Sequence, residues 1–154
     1  MDGFLNILDR VDIFRRLDAL KPDSPPVFGK MSAQHMVEHL IFIMRMSNGK
    51  MPIELFYSNE KAARIKAYTI HSNNEIIIGF RAPMLPESPV PLTRPGLREA
   101  VEQLQDELNG FDQFFHDNPE ARPINPTMGP LNFDEWIIFH NKHFTHHFKQ
   151  FNLS

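Results

Sequence analysis

The chain contains no cysteine, which excludes a cysteine nucleophile, a disulfide framework and a thiolate metal site. Imidazole and carboxylate are left as its strong metal ligands. Long hydrophobic runs are missing as well: the most apolar stretch, residues 40–44, is broken by Arg45, far short of the roughly 20 residues that a membrane span needs. No charged and apolar signal pattern opens the sequence, so the expected location is cytoplasmic and no membrane partner is expected. Lysine and arginine do not gather into a basic cluster with interleaved aromatics, and the net charge is -3; nucleic acid is therefore not an expected partner. There is no internal repeat and no low-complexity tail. A length of 154 residues suits one domain with a core large enough to need no staples.

What the chain does have is histidine, eight in all. His140, His143, His146 and His147 crowd into the C-terminal region on a segment with helical periodicity. At about 100° per residue, Trp136, His140, His143 and His147 fall within roughly 60° of one another. Ile137, Phe144, Phe148 and Phe151 flank this stripe, so it is expected to face inward, with Lys142, Thr145 and Lys149 on the solvent side. A buried imidazole with an unpaired nitrogen costs about 1–3 kcal/mol, and a shared cation satisfies several such rings at once. His143 and His147 lie one helical turn apart, the spacing at which two rings on one helix reach the same ion; a set of ordinary hydrogen-bonding polar residues is the alternative.

A second pair, His35 and His39, repeats the one-turn spacing within residues 31–48, where Ser32 reads as an N-cap and Gly49 as a C-terminal stop. The register sets Met36, His39, Ile43 and Met46 on one side and Gln34, Glu38 and Arg45 on the other. A nitrogen from this helix would turn the C-terminal pair into a three-histidine site with an open position for water or substrate, the pattern of catalytic zinc.

Proline avoids the strongly periodic segments and so punctuates the fold. Four long helices are expected: residues 2–20, residues 31–48, a third from near Pro95 to before Pro119, and a fourth from Asn132, with Glu135 completing a capping box, to about Phe151. Between the second and third, residues 58–68 read as a short helix, residues 75–80 as a brief strand or extended segment, and residues 82–95 as a long proline-rich crossover. The expected class is all-α, a four-helix bundle with one long connection. Ile41, Phe42 and Met44 leave the second helix apolar on more than one face, to be covered by the crossover or by a second copy, and a homodimer is the expectation.

The run Gly29-Lys30-Met31-Ser32-Ala33-Gln34-His35-Met36-Val37-Glu38-His39-Leu40 resembles the second-helix motif of the DinB-like (YfiT-like) superfamily of metal-binding four-helix bundles. His143-Phe144-Thr145-His146-His147-Phe148-Lys149-Gln150 resembles that family's last-helix signature. Gly129, Pro130, Leu131 and Trp136, with the Gln150-Phe151 ending, are similar to a branch without an assigned activity. The resemblance implies a divalent metal ion, nickel or zinc, held by His39, His143 and His147. It also implies an enzyme of hydrolytic or thiol-transfer type acting on a small molecule, a thiol being one candidate, since members include thiol-dependent transferases and a thiol-dependent isomerase. A non-catalytic binding or stress-response module in which the ion ties two helices together is the alternative, because fold membership fixes no single activity.

Of the remaining polar residues, His140 reads as a core hydrogen-bonding group or a support to the ligands and His35 as a pocket-lining or backbone-binding residue, a metal contact being the alternative for each. His146 reads as a surface or interface residue at the helix edge, and Glu38 as solvated, with an acid–base role as the alternative. A di-iron carboxylate bundle is disfavoured because no Glu-x-x-His occurs.

Overall fold

The computed structural model describes residues 3–78, 85, 86 and 89–153. Among them the chain is mostly helical, with five helices and one small two-stranded sheet. No helix among the described residues is long and apolar enough to cross a membrane.

Helix α1, Arg10–Leu17, is much shorter than the expected 2–20. Residues 3–9 run as turns and irregular chain, since their amides find other partners: Leu5 N donates to Thr145 Oγ1 and Ile7 N to Asn141 Oδ1, both at 2.8 Å. Asp9 then starts the helix by accepting from the Asp12 amide, the usual work of an N-cap carboxylate. Leu8 and Val11 are 49% and 80% exposed, whereas Ile13 and Leu17 are buried.

Helix α2, Ala33–Ser47, starts at Ser32 in a reciprocal cap completed by His35. It stops at Gly49, whose φ of +81° is left-handed and whose missing Cβ leaves room for the Phe114 ring; a Cβ there would lie 2.7 Å from ring carbons. The expected short helix is α3, Asn59–Thr69, capped by Ser58. Residues 75–78 carry no strand, with Ile77 and Ile78 exposed, while residues 79 and 80 of the anticipated strand, and residues 82–84, 87 and 88 of the proline-rich crossover, lie outside the described residues.

Helix α4, Leu97–Asp117, buries Leu104, Leu108, Phe111 and Phe115 on one face. A two-residue antiparallel pair, β1 (Ile124–Asn125) with β2 (Gly129–Pro130), follows in register Ile124 to Pro130 and Asn125 to Gly129; no sequence pattern announces strands this short. Helix α5, Phe133–Gln150, opens with the expected box of Asn132 and Glu135.

The core lies where α2 packs along α4 and against α5. Ile41 and Met44 are buried within the chain itself and Phe42 is half-buried, so most of the apolar surplus of α2 is used internally. Deep in this interface the Glu107 carboxylate, fully buried, accepts from Arg45 (3.0 Å), Lys50 (2.9 Å), Asn48 (2.9 Å) and Gln103 (2.6 Å). Burial works to raise its pKa, but these donors outweigh it and hold the group below the ordinary carboxylate range.

Candidate metal centre

The inward stripe of α5 forms as its periodicity requires: Trp136, His140, His143 and His147 are all buried. His143 and His147 meet edge to face one turn apart, with Nε2 atoms 3.2 Å from each other. From α2, 104 residues earlier in the chain, His39 brings its Nε2 to 3.0 Å from that of His143. The three ligand atoms lie within 4.8 Å of one another, and the three residues could hold a metal ion.

The donor set passes a chemical test of fit. His147 Nδ1 lies 2.8 Å from Gln150 Oε1, and the amide nitrogen of Gln150 donates to the Phe28 carbonyl at 3.0 Å. Because that oxygen only accepts, the His147 proton sits on Nδ1, and Nε2 presents a bare lone pair to the cluster. Metal–nitrogen bonds of about 2.0–2.1 Å at tetrahedral angles would place the nitrogens roughly 3.3 Å apart, close to the His39–His143 and His143–His147 spacings. The ring of His143 is held from its other side by Phe139, stacked at 5.4 Å and 14°.

Burial dominates the electrostatics, since charging an imidazole away from water is costly. It pushes His39 down to about 4, with a smaller contribution from His146. For His143 and His147, burial first and the neighbouring imidazoles second hold the pKa well below the usual histidine value. Neutral rings are the form a metal requires.

His140 shares the stripe but not the cluster. Its Nε2 lies 2.8 Å from Ser47 Oγ, which itself donates to the Met44 carbonyl, and its ring stacks on Trp136. His35 serves the α2 cap and also lines the cavity beside the cluster. His146, expected at the surface, instead lines that cavity with its ring 5.2 Å from Phe28. Glu38, expected in solvent, accepts from Gln34, from the amide and hydroxyl of Thr93 and from the Arg94 amide; it fastens the segment leading into α4.

Lys142 and Thr145 are the clearest corrections, since both were read on the solvent face and both are buried. The Lys142 ammonium donates to the carbonyls of Thr69 (2.6 Å) and Ser72 (2.8 Å), joining α5 to the C-terminal end of α3, where a positive charge suits the helix dipole. Sequence reasoning also passed over the roles of Gln150 and Phe139. For Gln150 a signal existed, because a residue three positions after His147 lies on the same helix face.

No family model matches the chain, and neither curated proteins nor solved structures give a match.

Proposed function

We propose that the chain is a metal-dependent enzyme on a DinB-like four-helix bundle, with nickel or zinc held by His39, His143 and His147. The observation that carries this reading is the convergence of three Nε2 atoms from two helices, with His143 and His147 buried and His39 half-buried. Imidazole suits either metal. A bound divalent cation there supplies Lewis acidity, polarising a carbonyl or lowering the pKa of a water or a substrate thiol; hydrolysis and thiol transfer are the reaction classes this serves.

The protein's own groups do the rest. Gln150 keeps the His147 proton on Nδ1, Phe139 fixes the His143 ring, and the cavity above the cluster holds a small-molecule substrate against apolar walls away from water. Among the described residues its lining contains no Asp or Glu, and of those residues the imidazoles are the groups suited to move a proton there.

The test is elemental analysis of protein purified without a nickel column. One equivalent of nickel or zinc is expected in the native chain and none in His143→Ala, with turnover on an ester, amide or thiol-conjugation panel that chelator abolishes. Equal metal in both proteins overturns the centre. A large chelator-induced drop in melting temperature with no turnover on any of these substrates would favour instead the non-catalytic module, in which the ion ties α2 to α5.

A further inference from the structure

The histidine cluster opens on a cavity of about 770 Å³. A water or a small nucleophile needs no such space, whereas cavities of about 300–1,000 Å³ commonly enclose most of a drug-sized organic molecule. The walls are chiefly apolar: Ile43 and Met46 come from α2, Ile65 from α3, Met128 from the β1–β2 turn and Phe139 from α5.

Among the described residues the charge of the lining is one-sided. Lys30 and Arg64 contribute to it, and no carboxylate does among the described residues. Both cations are exposed. Arg64 pairs with Glu60 at 3.1 Å, but the two side chains are 66% and 86% exposed, and a solvated pair of this kind is readily exchanged for another anion. An apolar chamber with cations at its exposed edge is complementary to a molecule that is apolar along its length and anionic at one end.

We propose that the cavity takes an amphipathic organic acid. Its hydrocarbon body lies against Ile43, Met46, Ile65 and Met128, its anionic group is held at the edge by Lys30 and Arg64, and the bond to be transformed is directed toward His39, His143 and His147. Only this last point rests on the metal-enzyme reading; capture of the acid needs no ion.

Calorimetric titration of the metal-free full chain with straight-chain alkanoates and the matching 1-alkanols, all below their micellar concentrations, tests the inference. Affinity is expected to rise by up to about fourfold for each added methylene. Each acid is expected to bind about tenfold tighter than its alcohol. In the double variant Lys30→Met/Arg64→Met, both positions being exposed, the acid's advantage disappears and alcohol binding is unchanged. Equal binding of acid and alcohol by the native chain, absence of a chain-length effect, or an acid preference that survives the double variant would each overturn the proposal. Because the titration is run without metal, failure of the metal centre leaves these outcomes unaffected, and failure of acid binding leaves the metal stoichiometry unaffected.

Discussion

Gln150 touches His147 through Oε1 and the Phe28 carbonyl through its amide nitrogen, so one side chain both selects the tautomer of a ligand and ties down the segment at the cavity edge. Partners of this kind typically contribute 10- to 100-fold to metal affinity. Gln150→Leu is accordingly expected to weaken zinc or nickel binding by about 10- to 100-fold while the circular dichroism of the metal-free protein stays native; unchanged affinity in a competition titration would show that the tautomer is set elsewhere. At this scale the sequence was legible where chemistry and periodicity agreed. His143 and His147 announce each other by a one-turn spacing, and His39 falls on an apolar face. Lys142 was not legible, because the two carbonyls that accept from it belong to residues 73 and 70 positions away, and a lysine on a helix gives no local sign of such partners. Glu38 misled for the same reason, its acceptors being satisfied by Thr93 and Arg94 more than fifty residues later.

Among the elements, α2, α4 and α5 could be anticipated because each has a long periodic apolar face and a defined start: Ser32 before α2, Pro95 and Gly96 before α4, Asn132 before α5. The first helix could not, since apolar spacing alone does not reveal that the Leu5 and Ile7 amides are claimed by α5. The β1–β2 pair is too short to carry any alternation. The end of α2 depends on one residue, Gly49, through its left-handed backbone and its closeness to Phe114. An L-side chain pays about 1–2 kcal/mol for that conformation alone. Gly49→Ala is thus expected to destabilise the protein by at least about 1–2 kcal/mol in urea denaturation, and a smaller loss than that would mean the turn re-forms with another geometry.

For the whole molecule, buried neutral imidazoles couple stability to acidity. His39 is pushed down to about 4 and His140 to about 3, in both cases chiefly by burial, whereas an unfolded histidine titrates at 6.5. Between those values the unfolded chain binds more protons than the folded one, so the contribution is fully present above pH 6.5 and is lost as pH falls through the folded-state values. The metal-free protein should therefore show a urea midpoint that is flat from pH 8 to 7 and declines steadily from about pH 6.5 toward pH 4; a midpoint that holds constant to pH 4 would contradict neutral burial of these rings. The arrangement of the ligands along the chain has one more consequence. His39 precedes the connection between α3 and α4, and His143 and His147 follow it, while the long contact of α2 with α4 joins the same two portions of the polypeptide. Cleavage at an engineered protease site within residues 89–94 would divide the centre between two peptides without removing any ligand. The nicked pieces are expected to co-elute on gel filtration and to dissociate more readily once a chelator is added, which would make the protein a split reporter whose reassembly reads out the ion directly.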